Sequence, residues 1–356
     1  MAGVHYPRSL GEFRAWFSKD ADCLDYLEWL RWPDGFVCPR CHEPGGWRMA
    51  DGTLRCAGCR ARTSPIAGTI FDKTRTPLTV WFTAAWLFAT QKNGISAQSL
   101  QRALEISSYQ TAWAVLHRLR SVLVRPGRER LSGRVEVDET YIGGEEPGLR
   151  GGRAKGKKTL VGVAVEVREP KGYGRCRLQI LPDASAASLH PFVADHVEPG
   201  ATVVTDAWSG YDGIEDLGYT RQRYSQRAVR LAGGDPYGLL PGVHRIASLA
   251  KRWLLGTHQG SVDPTHLQAY LDEFVFRFSV VIKAVVVVVG EGGARGGNPL
   301  WTMGTRWRAS RSACGPLREG STRRCSDGSG ATRRLEECRS SQSRVCVRSP
   351  HGLCAA

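Results

Sequence analysis

Four cysteines and two aspartates are the residues whose types and spacing invite chemistry. Cys38-Pro-Arg-Cys41 and Cys56-Ala-Gly-Cys59 are two Cys-x-x-Cys pairs with fourteen residues between them. Each pair sets two thiolates on one side of a tight turn, and two such turns complete a tetrahedron around one zinc ion. The stretch between them, Trp47 to Arg55, reads as a hairpin turning at Asp51-Gly52, so the spacing predicts a zinc ribbon. Four cysteines close the site, which makes the metal structural and leaves His42 as a neighbour of a ligand. The aspartates are Asp138, inside the alternating Val135-Glu-Val-Asp138, and Asp206, at the end of Val203-Val-Thr-Asp206. Carboxylates brought together at strand ends hold hard divalent cations. Two such cations serve in-line attack at phosphorus by gripping the attacking and leaving oxygens. Taken singly, an aspartate at a strand end is more often a cap or a turn residue.

The elements that must position these residues follow from periodicity. Leu10, Phe13, Trp16, Phe17, Leu24, Leu27 and Leu30 recur at helical spacing over residues 9–32, and Pro33-Asp34-Gly35 ends that run. Residues 78–92 predict a helix that is apolar nearly all round and therefore buried, with Pro77 suited to its first turn. Ser96 to Leu104 and Ser108 to Leu123 predict two helices in helix-turn-helix proportion, with Ser107 or Ser108 as the cap of the second. Such a pair reads base edges from the start of its second helix and meets phosphates with His117, Arg118 and Arg120, or it is simply two packed amphipathic helices. Strands are expected at 133–143, 160–168, 175–181, 201–205 and, at a sheet edge, 219–224. Helices are expected at 186–196, 245–255 and 266–278. Glu145 to Lys158 is expected to be a mobile loop. The order of elements makes an α/β domain with a mixed sheet.

The composition bounds the class of partner. The chain has 356 residues and a net charge of +15, which favours a polyanion, nucleic acid first. Residues 279–356 contribute 13 Lys and Arg against 5 Asp and Glu. The body before them is only mildly basic, so motifs must carry the nucleic-acid argument. No apolar run is long enough for a membrane span, and the N-terminus has no basic-then-apolar signal, so the protein is expected in the cytosol. Without an export signal, metal binding explains the paired cysteines better than disulfides do. After Ser279 come a valine run and then Arg, Ser, Gly and Cys with no period. That segment is expected to lack a packed core, as out-of-frame translation or functional disorder would.

Several strings resemble one family in combination. They are Arg31-Trp-Pro-Asp-Gly-Phe-Val-Cys-Pro-Arg-Cys41, Val137-Asp-Glu-Thr-Tyr-Ile-Gly-Gly144, Thr205-Asp-Ala-Trp-Ser-Gly-Tyr211, Lys251-Arg-Trp-Leu-Leu-Gly-Thr-His-Gln-Gly260 and His266 to Phe278. From about residue 9 to 278 the chain resembles the bacterial insertion-sequence DDE transposases that carry an N-terminal zinc ribbon, the ISXO-like group. The resemblance implies a ribonuclease-H-like mixed-sheet core, with Asp138 and Asp206 as metal-binding acids for magnesium or manganese, two ions in all. It implies strand cleavage and transfer at the ends of an insertion sequence. Lys251 would meet a terminal DNA phosphate, with Arg252, Arg118 and Arg120 as further DNA contacts. Terminal inverted repeats and target DNA would be the partners of a homo-oligomer acting at the bacterial nucleoid.

The expected organisation is a helical segment at 1–35, the ribbon at 36–63, a helix-turn-helix-like DNA-binding region at 77–125, a catalytic domain at 132–278 and an aberrant tail at 279–356. Two departures stand out. Seven residues before Lys251, where such enzymes place Glu or Asn, this chain has His244. A neutral imidazole ligates manganese more readily than magnesium, so His244 is the expected third ligand, with a helix-capping role as its alternative. Glu139 is the nearest spare acid but should face away from Asp138. The second departure is the tail after Phe278. Together they favour, as the competing reading, a catalytically inactive zinc-ribbon DNA-binding protein. A ribonuclease acting on RNA would explain the acids but not the ribbon. Tyr211, Trp253 and His258 either shape a DNA groove or pack in the core.

Overall fold

The computed structural model describes residues 6–143, 158–168, 170–235, 238–260 and 262–279. The expected loop, apart from Lys158, and the tail beyond Ser279 lie outside these residues. All the described residues belong to one compact unit.

The first half is helical around a zinc ribbon. Helices α1 (Leu10–Trp16) and α2 (Asp20–Arg31) precede the three-stranded antiparallel sheet β1 (Gly46–Arg48), β2 (Leu54–Cys56) and β3 (Arg62–Thr63). The β1–β2 hairpin turns through residues 49–52, closed by Met49 N–H on Thr53 O and by Gly52 N–H on Met49 O. Gly52 has φ +77°, and an added Cβ would meet Leu24 of α2 at 2.7 Å, so both the turn and the helix contact require glycine. Arg48 pairs with Asp25 and with Glu28 (2.8 Å), holding the ribbon on α2. Helices α3 (Leu78–Thr90), α4 (Ala97–Ala103) and α5 (Tyr109–Arg120) complete this half. Its core gathers Phe13, Phe17, Leu27, Phe71, Trp81, Phe82 and Phe88, and α3 supplies more of it than any other element, as its all-round apolar sequence implies. Ser108 is the cap of α5, accepting from Thr111 N–H at 3.1 Å.

The second half is a five-stranded mixed sheet. Strands β4 (Arg134–Ile142), β5 (Thr159–Val167) and β6 (Tyr173–Leu181) form an antiparallel meander. Helix α6 (Ala186–His196) then leads to β7 (Thr202–Asp206), which lies parallel to β4 on its other side, and β8 (Thr220–Tyr224) pairs parallel to β7 as the edge. The order β6-β5-β4-β7-β8 is the ribonuclease-H-like arrangement, with β4 at its centre. Helix α6 covers one face, packing Leu189, Phe192 and Val193 on Val135, Val137 and Val203. Helices α8 (Pro241–His258) and α9 (Pro264–Ser279) cover the other, packing Val243, Ile246, Leu271 and Phe274 against Val163, Val165 and Val204. A short helix, α7 (Gln226–Leu231), lies between β8 and α8 and buries none of its residues. No helix among the described residues is long and apolar enough to cross a membrane.

Candidate active site and zinc centre

The ribbon converges its four thiols. Cys38 Sγ lies 3.6 Å from Cys59 Sγ, Cys41 Sγ lies 3.5 Å from Cys56 Sγ, and all four sulfurs fall within 4.8 Å of one another. A tetrahedron with metal–sulfur bonds of about 2.3 Å has sulfur edges of about 3.8 Å, so the donor set fits one zinc ion. Both knuckles turn through a left-handed residue, His42 (φ 61°) and Arg60 (φ 62°). His42 is exposed and stands beside the ligand set. Backbone N–H groups of Cys41 and Arg40 pull the Cys38 thiol down to about 6, favouring the thiolate that zinc requires.

The two aspartates meet at the centre of the large sheet. The last paired position of β4 and β7 is Glu136 with Val204. Asp138 and Asp206 each stand two residues further on, so they point to the same face of neighbouring strands. That face is the α8 side, where Val204 packs on Val243. Both aspartates line one cleft of about 1170 Å³, with Thr140, Lys158 and Lys251 along its wall and Leu254 and Leu267 at its apolar end. Asp138 Oδ1 accepts from Glu139 N–H at 2.8 Å, and Asp206 Oδ1 accepts from Trp208 N–H at 2.9 Å.

The segment after Asp206 is built around that carboxylate. Trp208 Nε1 donates to Ala184 O at 2.7 Å. A Cβ on Gly210 would collide with that same carbonyl, which is why the Trp-Ser-Gly-Tyr string needs its glycine. Tyr211 is fully buried and its hydroxyl donates to Glu139 Oε2 at 2.9 Å. Burial, together with Glu139, Asp138 and Asp206, pushes the Tyr211 phenol far up, so it stays a donor. Arg221 of the edge strand reaches Thr205 Oγ1 (3.0 Å), Trp208 O (3.1 Å) and Asp212 (2.7 Å), clamping the same turn. Periodicity could place β8 but not this role for Arg221, because its partners are nine to sixteen residues away on one side only.

Residues 130–279 match the ISXO2-like transposase domain, and residues 18–62 match the transposase zinc-ribbon domain. The chain thus carries an ISXO2-like transposase domain behind a transposase zinc ribbon. A protein in transposable element ISH50 of Halobacterium salinarum, itself uncharacterized, is 28% identical over 286 residues, covering 75% of this chain and 93% of the relative. Similar solved structures include the catalytic core domain of BIV integrase, at 20% identity over 50% of this chain and 98% of that one, with a TM-score of 0.28. A pre-cleavage Mos1 transpososome is another, at 14% identity over 51% and 79%, with a TM-score of 0.17. At these scores the strand order, and not the likeness, carries the fold.

The other residues that the sequence leads one to expect at the site fall in different surroundings. Lys251 of α8 borders the cleft and donates from Nζ to Thr140 Oγ1 at 2.8 Å. Desolvation and the nearby Lys158 pull its pKa down. Arg252 is exposed. His244 stands two turns before Lys251 on the same helix face, near Asp235 and outside the residues that line the cleft. Burial pulls its pKa down against the opposing pull of Asp235, so the ring is neutral at pH 7, the state that can ligate a metal.

Arg118 is exposed, but its guanidinium donates to Ile70 O (3.1 Å) and Asp72 O (3.3 Å). Arg120 corrects the sequence reading. Its side chain is 1% exposed and pairs with the buried Glu273 at 2.7 Å, which removes it from any phosphate. Helix α5 is enclosed on this side, since Trp113 and His117 pack on His266 and Tyr270 of α9. Of the three aromatics left open by sequence, Tyr211 is core. Trp253 ties Asn93 O to the catalytic half at 3.0 Å, and His258 packs on Tyr270. Glu139 does face Tyr211 on the α6 side of the strand, and it also reaches the cleft rim.

Proposed function

We propose that this transposase cuts DNA at the ends of its insertion sequence and joins them to target DNA, with Asp138 and Asp206 as ligands for magnesium or manganese. The supporting observation is that the two aspartates face one cleft from neighbouring parallel strands, with Lys251 also lining it. The donors that face the cleft, two carboxylates, fit a hard divalent cation, while the neutral His244 stands outside that lining on α8. Two bound ions would supply Lewis-acid stabilisation of the phosphorane-like charge and an activated nucleophile.

The chain's own residues do the rest. Asp138 and Asp206 fix the reacting phosphate's surroundings through carboxylates already oriented by backbone N–H groups. Lys251, as a phosphate contact, offsets charge at the scissile group, and Arg252 extends that contact along the strand. The ribbon at 36–63 and the exposed parts of 77–125 contribute affinity for double-stranded DNA, the terminal repeats and target alike. Joining two ends calls for a homo-oligomer on DNA. The site of action is the bacterial cytoplasm, at the nucleoid.

The test is cleavage, in magnesium or manganese, of a supercoiled plasmid carrying the gene with its flanking DNA. Asp138→Ala and Asp206→Ala should each abolish strand cleavage and leave DNA binding within about twofold, because binding rests on basic groups elsewhere. A wild-type protein that binds the plasmid but never cleaves it would favour the inactive DNA-binding reading that His244 motivates.

A further inference from the structure

On the α8 face of the central strand Asp138 is flanked by Glu136 and Thr140, and both flanking residues are bonded to α8. Glu136 is buried, and its Oε2 accepts from Gly242 N–H at 2.7 Å and from Val243 N–H at 3.1 Å. These are N–H groups of the first turn, which have no partner inside the helix, and the helix start favours a negative charge. Leu240, the residue before the helix, offers no side-chain cap. A carboxylate from the neighbouring strand therefore does the capping. The fit is tight: a Cβ on Gly242 would lie 2.8 Å from Glu136 Oε2 and 2.6 Å from Tyr173. At the other end Thr140 Oγ1 accepts from Lys251 Nζ at 2.8 Å.

The spacings match. Four residues of strand span about 13 Å, and the nine residues from Gly242 to Lys251 span about 13.5 Å of helix. Helix and strand thus run in the same direction, joined at both ends, with Asp138 between the joints.

We infer that Glu136 and Thr140 are positioning residues, which clamp α8 to β4 on either side of Asp138 and so set where Lys251 and His244 stand relative to that carboxylate. The inference rests on the reading of Asp138 as the catalytic acid, but the clamp itself is a separate claim. Neither residue reaches the substrate through this arrangement. Each acts through the helix it holds.

The test uses the full chain with Glu136→Gln, Thr140→Val and Thr140→Ser. Glu136→Gln keeps the volume and weakens the cap, so exchange at the Gly242 and Val243 amides should accelerate about tenfold while the amides of α9 stay as they were. Labelling of Lys251 by an amine-reactive acetylating reagent, mapped by mass spectrometry against Lys158, should rise severalfold in Thr140→Val and in Glu136→Gln. Thr140→Ser retains the hydroxyl and should label like the wild type. In the plasmid assay, Glu136→Gln and Thr140→Val should lower the cleavage rate about tenfold at unchanged half-saturating DNA, with Thr140→Ser restoring it.

Unchanged Lys251 labelling in Glu136→Gln would overturn the clamp. So would faster exchange spread evenly over α8, α9 and the sheet, which would reduce Glu136 to general stability. A wild-type protein that never cleaves defeats the proposed function instead, and the exchange and labelling results then still decide for or against the clamp.

Discussion

Two carboxylates that face one cleft repel each other, and each of this pair carries a backbone N–H on one oxygen. Such bonds orient the carboxylates, so metal binding meets two placed ligands. The third position is the departure at residue scale, because His244 brings a neutral ring where an oxygen donor is usual for magnesium. Accordingly His244→Glu should keep or raise magnesium-supported cleavage, and His244→Ala should lower it by about tenfold or more. Wild-type rates in His244→Ala would leave the residue a role only in starting the helix. Arg120 makes the opposite point. Its spacing on α5 suggests a DNA contact, yet the structure spends its charge on Glu273. Removing one partner of a buried pair costs about 3–5 kcal/mol. Because Arg277 still pairs with Glu273, Arg120→Met should fall near the lower end of that range. Its DNA affinity, read where the variant is folded, should match the wild type. A loss of affinity with unchanged melting would return Arg120 to the DNA surface.

At the scale of elements, the zinc ribbon is the piece whose folding depends on a metal. Its three strands hold two or three residues each, too few to bury a core of their own. Cys38→Ser should therefore release about one zinc per chain and expose the ribbon amides to exchange, while the β4–β8 sheet stays protected. Full zinc content in that variant would remove Cys38 from the ligand set. The ribbon was legible because its ligands are local: two fixed spacings and an Asp-Gly turn define it completely. The central strands and α6 were legible for a similar reason, since each carries its own period. The start of α8 was not. Periodicity begins that helix at Arg245, but it starts at Pro241, capped by Glu136 from more than a hundred residues away. Helix α7 was missed because it is short and buries nothing, so it has no apolar period to read. The candidate site divides along the same line. Asp138 is marked by an alternating strand and Asp206 by a strand end, whereas Thr140 and Arg221 take their roles from partners that no local pattern reveals.

The described residues are held as one body by a polar and aromatic joint between the helical half and the catalytic sheet. Glu273 of α9 is shared by Arg120 of α5 and Arg277, and Arg277 also donates to Phe88 O and Gln91 O at 2.8 Å each. Trp253 and Thr257 of α8 both donate to Asn93 O. Around them pack His117, His258 and His266 with Trp113 and Tyr270. Burial pushes His117 down to about 4, with Arg120, His266 and His258 adding to the effect. Burial likewise pushes His258 down to about 4, aided by Arg120 and Arg277 and opposed by Glu273. The sign of the consequence follows from linkage. In the unfolded chain a histidine takes its proton near pH 6.5, while these two stay neutral in the folded protein until about pH 4. Between those values the unfolded state binds more protons, so stability should fall as the pH drops from about 6.5 to about 4, by at most about 1.4 kcal/mol per unit for each ring. Carboxylates held low in the folded state, such as Glu166 beside Arg175, add to the fall as the pH drops through the unfolded glutamate value of about 4.3. The raised Glu136 and Asp272 oppose the trend just above it. Denaturant unfolding at pH 7, 6, 5 and 4.5 reads the slope, and His117→Gln should flatten it by removing one titrating ring from the joint. A wild-type stability that holds level over that range, or a slope untouched by His117→Gln, would mean that the joint does not carry the acid sensitivity of the molecule.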